Sequence, residues 1–253
     1  MTSSRFSLSG KRVLLTGAGG GIGAALLSAF LEEGALAAGA YRTTPDFFAG
    51  LKKKYAHSFF PLQCDLSREA EVETLPDRAE EALGGGVEVA VHNAWIVPYT
   101  QPYSLENLRV VSAVGLEAAY ILYGSLAPRM AARGQGSIIS IASINGLQAF
   151  PGNPAYTSVK GALRLFTKTV ARDFGGQGVR ANNLCPGYVH TRMTAASHAD
   201  PVRHEERRDR TMLGRWAVPD DMVGPCLFLA SDASAYVTGI DLIVDGGWIA
   251  KGL

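Results

Sequence analysis

The sequence predicts an α/β protein built on one doubly wound parallel sheet of about seven strands with helices on both faces. Three observations lead there. Short apolar runs alternate along the chain with longer stretches of 3.6-residue periodicity, the β-α-β-α rhythm of such sheets. The short runs are nearly continuous in apolar residues, as strands buried on both faces are. The chain of 253 residues, 47% hydrophobic and 19% charged, is long enough to bury a large core. No stretch reads as an interdomain linker and none repeats, so residues 1–253 are expected to form one domain.

The elements follow in order. Residues 12–16 (RVLLT) form the first strand and run into a glycine-rich turn, after which residues 22–33 carry helical periodicity. A second strand is expected over 36–40, a helix over 45–55 and a third strand over 59–63. The Lys52-Lys53-Lys54 run reads as a solvated helix face. A helix over 69–83 ends at Gly84-Gly85-Gly86, suited to a C-cap, before a fourth strand at 87–92. A long helix over 105–130 leads to strand 137–141. A further helix over 155–174 ends at Gly175-Gly176-Gln177-Gly178 before strand 180–184, and a last strand is expected at 240–244. Residues 193–213 break the rhythm. This polar segment, with His204-Glu205-Glu206-Arg207-Arg208-Asp209-Arg210, is either a solvated helix face or a mobile lid over a site.

Composition excludes several classes. Twenty-four basic and 23 acidic residues give a net charge of +1, so nothing in the whole-chain charge points to nucleic acid or an anionic membrane. Cys64, Cys185 and Cys226 are odd in number and form no CxxC pair, which fits a reducing, cytoplasmic setting. The five histidines show no metal-binding spacing, and no metal is expected. No uninterrupted apolar run reaches about 18 residues, and the first apolar run is too short for a signal-peptide core. The anomaly is glycine, 29 of 253 residues, or roughly 11% against about 7% in ordinary usage.

Part of that excess lies in Thr16-Gly17-Ala18-Gly19-Gly20-Gly21-Ile22-Gly23, between the first strand and the first helix. Glycines there permit a tight turn and close approach of a pyrophosphate, which the helix N-terminus favours through free N–H groups and its dipole. At the end of the second strand an acidic residue would accept from an adenosine ribose 2′-hydroxyl. The chain instead has Tyr41-Arg42, so Arg42 could pair with a 2′-phosphate or stack on adenine. That favours NADP over NAD, the alternative being an exposed, uninvolved Arg42. Asp65, before Leu66, could accept from the adenine amine.

Tyr156 and Lys160, four residues apart, share a face of the helix over 155–174. An ammonium beside a phenol favours the phenolate and makes the tyrosine usable as a general acid or base. Ser143, thirteen residues before Tyr156, ends the preceding strand, where its hydroxyl could hold a substrate carbonyl oxygen.

With these motifs at these spacings the chain resembles the short-chain dehydrogenase/reductase family over nearly its whole length. The likeness is carried by the Thr16–Gly23 turn, Cys64-Asp65-Leu66, the stretch ending at Ser143, Tyr156-Thr157-Ser158-Val159-Lys160, Pro186-Gly187-Tyr188-Val189-His190-Thr191 and Asp245-Gly246-Gly247. The resemblance implies a Rossmann-type domain, an NAD(P) cofactor, a small carbonyl or alcohol substrate and a homotetramer or homodimer. It implies Tyr156 as proton donor or acceptor, Lys160 as its tuner and a binder of nicotinamide ribose, and Ser143 as the residue that positions the carbonyl. Gly17, Gly19, Gly21, Ile22, Gly23, Tyr41, Arg42, Asp65, Leu66, Asn93, Ala94, Pro186, Gly187, Val189 and Thr191 would line the cofactor. Trp95, Tyr99, Asn145, Gln148, Phe150, Asn153, Tyr188 and His190 are candidates for the substrate rim. The C-terminal stretch looks most like family members acting on sugar acids and polyols. A 3-oxoacyl-carrier-protein reductase-like enzyme and a catalytically weak nucleotide-binding paralogue are the alternatives.

Two positions depart from the family pattern. His92-Asn93-Ala94-Trp95 stands where the family has NNAG, so an indole replaces a glycine and is expected to reshape the substrate pocket. In the long helix, Val114-Gly115-Leu116 stands where the family has Val-Asn-Leu. The family Asn helps hold a water that relays protons from the lysine. A glycine lacks that side chain, a water could fill the vacated volume, and Ser112 is the nearest conceivable stand-in. A glycine within a helix also costs about 1 kcal/mol relative to Ala, so close packing or a bend is expected there.

Overall fold

A computed structural model describes residues 5–97 and 101–251. Seven strands, β1 (Arg12–Thr16), β2 (Leu36–Tyr41), β3 (Phe59–Gln63), β4 (Val89–His92), β5 (Gly136–Ile141), β6 (Val179–Pro186) and β7 (Asp241–Val244), form one parallel sheet. Their order is β3-β2-β1-β4-β5-β6-β7. The chain starts in the middle, winds outward to β3, returns to β4 and winds outward the other way. The carboxyl ends of β1 and β4 therefore flank the switch point, where open α/β sheets bind ligands.

Nine α-helices cover the sheet among the described residues: α1 (Gly21–Glu32), α2 (Phe47–Lys54), α3 (Glu69–Ala82), α4 (Leu105–Ser112), α5 (Ala118–Ala132), α6 (Pro154–Phe174), α7 (Ala195–Ala199), α8 (Pro201–Arg210) and α9 (Val223–Ala230). Strand side chains alternate between two cores. Leu14, Ala38, Ala90 and Ile138 face Leu75, Leu122, Leu126 and Leu163 of α3, α5 and α6. Val13, Leu15, Val91 and Ile139 face Leu26, Phe30, Cys226 and Leu229 of α1 and α9. Strands β1, β2 and β4 are thus mainly apolar on both faces, the physical origin of their continuous hydrophobic runs, whereas β5 and β6 also bury Ser137, Ser140, Asn182 and Asn183.

The strands match the sequence pattern to within two residues, while the helices differ in two places. The long helix expected over 105–130 is α4 and α5 joined by a π-helical turn, Ala113–Glu117, centred on the buried Gly115. Helix α9 was not evident from periodicity because its VGPCLFLA sequence is apolar on nearly every side. Residues Leu105–Ala132 together are long and apolar enough to cross a bilayer by length and composition. Here they pack on the sheet through Ala119, Leu122, Leu126 and Met130.

Candidate active site

The glycine turn closes against the end of β4. A Cβ on Gly17 (φ +67°) would lie 2.7 Å from Ala94 Cα, and one on Gly23 would strike the Gly17 carbonyl. Asn93 fastens the turn by donating from Nδ2 to the carbonyls of Thr16 (3.2 Å) and Gly17 (3.1 Å). Thr16 Oγ1 accepts the N–H groups of Asn93 and Ala94, so its own proton goes to His92 Nδ1 at 3.1 Å. His92 therefore carries its ring proton on Nε2, which is buried without a hydrogen-bond partner among the described residues. Burial, with Lys160 second, pushes the His92 imidazole down to about 4, which keeps it neutral.

Beyond Gly17 the turn opens into a cradle. Cβ atoms on Gly19 and Gly21 would press on Pro45 (3.0 Å) and Thr191 (3.2 Å). Gly20 offers α1 no side-chain cap, so the first-turn N–H groups of Ile22 and Gly23 remain for a ligand. The cradle suits a pyrophosphate. Tyr41 ends β2 with its ring edge-on to Phe48, and Arg42 follows, exposed and without an ion pair among the described residues. Asp65 accepts from Ser67 N (3.0 Å) and Oγ (2.7 Å), and Leu66 is buried beside it. Burial opposes ionisation of Asp65, but the Ser67 hydrogen bonds and the Arg42 charge hold its carboxyl below the usual range.

The segment after β6 returns to the same cradle. Pro186 ends the strand, and Gly187 donates to the Val244 carbonyl at 3.0 Å. A Cβ on Gly187 would lie 2.8 Å from Asp245 Cα. Val189 pairs with Ala217 in an isolated parallel bridge. Thr191 and Thr194 cap each other, which sets Thr191 over Gly21.

Ser143 follows β5 and caps a 3-10 turn, Ile144–Gly146, by accepting the Asn145 N–H at 3.1 Å. Its hydroxyl donates to Asn145 Oδ1 at 3.3 Å. Helix α6 starts from Asn153, whose Oδ1 accepts the Tyr156 N–H at 3.3 Å, with Pro154 at the first helical position. Tyr156 thus sits in a capped first turn, and Lys160 follows one turn later. Lys160 is fully buried and donates from Nζ to the Ile141 carbonyl at 2.5 Å. Nζ lies 5.4 Å from the Tyr156 ring centre. Burial holds the Lys160 ammonium well below its ordinary value, with Cys185 a weaker opposing influence.

Trp95 packs into this centre. Lys160 Nζ lies 3.3 Å from the centre of the indole ring, and the Tyr156 ring meets the indole edge-on at 5.5 Å. The indole N–H donates to the same Ile141 carbonyl that Lys160 uses, at 3.1 Å. A Cβ on Gly115 would collide with the six-membered ring, 2.5 Å from Cη2. The space beside Gly115 is therefore filled by the indole, which corrects the expectation of a water there. Ser112 is no stand-in, because its Oγ is committed to Glu117 at 2.8 Å.

The outer wall is aromatic. Phe150, on the loop joining Ser143 to Tyr156, meets Tyr188 (6.3 Å) and Trp248 (6.1 Å), and Tyr188 meets Trp248 (4.8 Å) and Trp216 (5.4 Å). His190 stacks on His198 of α7 at 3.7 Å. Burial first, then His190 and His204, hold the His198 imidazole below its ordinary value. Gln148 is exposed, and Tyr99 lies outside the described residues. Trp216, Trp248, His198 and Arg207 join the wall. Trp216 and Trp248 bound the C-terminal stretch that resembles sugar-acid and polyol members, whereas His198 and Arg207 lie in the polar segment 193–213 and carry no motif.

Comparison with known proteins finds relatives along nearly the whole chain. A family model described as enoyl-(acyl carrier protein) reductase matches residues 17–249. The chain is 35% identical to the 2-dehydro-3-deoxy-D-gluconate 5-dehydrogenase of Bacillus subtilis (strain 168), over 97% of each protein. It is 34% identical to the L-rhamnose 1-dehydrogenase (NAD(P)(+)) of Sphingomonas sp. (strain SKA58), over 95% of this chain and 96% of the other. Among solved structures it is similar to a gluconate 5-dehydrogenase from Burkholderia cenocepacia J2315 in complex with NADP and tartrate. That match has 32% identity, a TM-score of 0.91 and 98% coverage of each chain.

Proposed function

The chain belongs to the short-chain dehydrogenase/reductase family, an NAD(P)-dependent class of oxidoreductases, and from that premise we propose that it interconverts a ketone and a secondary alcohol on a sugar acid or polyol. The observation that carries the reading is the Ser143–Tyr156–Lys160 cluster at the carboxyl ends of the sheet, beside a glycine cradle shaped for a pyrophosphate.

NADP(H) is the cofactor in this reading: its reduced form would supply a hydride to the carbonyl carbon, and its oxidised form would accept one from the alcohol. Gly19, Gly21 and the first turn of α1 hold its pyrophosphate. Arg42, exposed and in no ion pair among the described residues, pairs with its 2′-phosphate, and Asp65 meets its adenine. Pro186, Gly187, Val189 and Thr191 flank its nicotinamide end. In reduction, Ser143 turns its hydroxyl from Asn145 to the substrate carbonyl oxygen, and Tyr156 gives its phenolic proton to that oxygen. In oxidation Tyr156 takes the proton from the alcohol. Lys160, already bonded to the Ile141 carbonyl, charges once a bound ligand adds a further acceptor at its buried nitrogen, and its charge then favours the Tyr156 phenolate. Residues 193–213, holding α7 and α8, are a lid over the substrate. Association into a dimer or tetramer belongs to the same reading, supported by the exposed Tyr120 and Leu165 on α5 and α6. So does a cytoplasmic setting, supported by three buried free thiols.

The test is turnover of sugar acids and polyols with NADP, and of their ketones with NADPH. Tyr156→Phe is expected to lower kcat about 10²- to 10⁴-fold while cofactor affinity holds. Full-rate turnover by that variant overturns the mechanism.

A further inference from the structure

The basic residues of α8 divide into two sets. Arg203 and Arg208 are paired with Asp200 (3.5 Å) and Asp209 (2.7 Å). Arg207 and Arg210 have no carboxylate partner among the described residues and instead lie on aromatic faces. The Arg207 guanidinium carbon is 4.5 Å from the centre of the Tyr188 ring and 5.7 Å from that of Trp216, and the Arg210 carbon is 5.3 Å from Trp248. Arg207 Nη1 is shielded from water and hydrogen-bonded to nothing among the described residues. A guanidinium that lies on aromatic faces without a carboxylate partner among the described residues is a positive charge suited to pairing with an anion.

The location of this donor limits what it meets. Tyr188 directly follows Gly187, and its ring touches Phe150 on the loop between Ser143 and Tyr156. A guanidinium held on an aromatic face keeps its N–H donors in one plane, the geometry that grips a planar carboxylate through two parallel bonds. We propose that Arg207 binds the carboxylate of the substrate, with Arg210 as a supporting positive charge, so that α8 selects acids over neutral polyols of the same length. This inference rests on the sugar-acid and polyol reading above and adds which of the two classes is preferred and through which residue.

The experiment compares D-gluconate with D-sorbitol, the same carbon chain with its carboxylate reduced to an alcohol, using NADP as oxidant. Arg207→Gln is expected to raise KM for D-gluconate about 10- to 100-fold more than KM for D-sorbitol, the loss of one charge-assisted contact. Arg207→Lys recovers part of the affinity, and Arg208→Gln, which removes a paired arginine of the same helix, leaves the acid preference intact. A merely structural Arg207 would move both substrates together, and an unchanged gluconate-to-sorbitol ratio in Arg207→Gln overturns the proposal. Calorimetric titration of the NADP-loaded enzyme with tartrate separates the two levels of inference. Absence of turnover on every sugar acid and polyol overturns the functional reading alone. Tartrate binding that is absent in the wild type, or equal in the wild type and Arg207→Gln, overturns the anion site.

Discussion

Gly115 and Trp95 lie twenty positions apart in sequence and in contact in the fold. Each looks damaging alone, a glycine inside a helix and an indole over a buried lysine. Together they complement each other, because the absent Cβ at 115 is what admits the ring over Lys160. Gly115→Asn is expected to overpack the site and destabilise the protein by about 1–3 kcal/mol. Trp95→Gly removes a large, half-buried ring and costs about 3 kcal/mol through lost packing and the void it leaves. In the double variant the asparagine occupies the volume the indole vacates, so its loss should fall short of the sum by more than about 1 kcal/mol. Urea unfolding of the four proteins measures that coupling, and strict additivity would show that the two residues act independently. The Ser143, Tyr156 and Lys160 positions were legible in the sequence because their spacing is set by one strand end and one helical turn. The indole over Lys160 was not, because no local rule links residue 95 to residue 115.

At the scale of elements, α6 shows how the proposed acid–base side chain is held. Asn153 caps the helix through the backbone N–H of Tyr156 itself, so the cap and the tyrosine share one turn. Asn153→Ala is expected to cost about 1 kcal/mol of stability and to loosen Tyr156, lowering kcat several-fold with KM for NADP unchanged. Steady-state kinetics beside a thermal melt checks both effects. The sequence marked Asn153 as a rim residue, and the fold adds this backbone role. The π turn carries a similar lesson. Residues 113–117 (AVGLE) are compatible with an ordinary helix, and periodicity reads straight through them. Only the packing of Trp95 against Gly115 and the position of His92 near the freed carbonyls explain why the ladder shifts register there.

Over the whole molecule, the buried centre makes stability depend on pH. The His92 imidazole titrates at about 4 in the fold, against an ordinary value of 6.5. Between those values the unfolded chain binds a proton that the folded chain refuses, so stability present above pH 6.5 is lost as pH falls toward 4. The loss from this group amounts to about 3 kcal/mol. Denaturant unfolding at pH 7, 6, 5 and 4 should show that decline, with a flatter profile in His92→Gln. An equal decline in the variant would assign it to other groups. Asp65 and Asp221, whose carboxyls are held below the usual range, add their losses at more acid pH. The sequence by itself determined the sheet, the glycine turn and the Ser143–Tyr156–Lys160 spacing, because strand burial, turn geometry and helical periodicity act over a few neighbouring residues. The tertiary structure alone decided that Trp95 covers Lys160 through the gap at Gly115, and that Arg207 rests on Tyr188 with no carboxylate partner among the described residues. These contacts join residues on separate elements, and only the packing of helices around the sheet brings such side chains within reach.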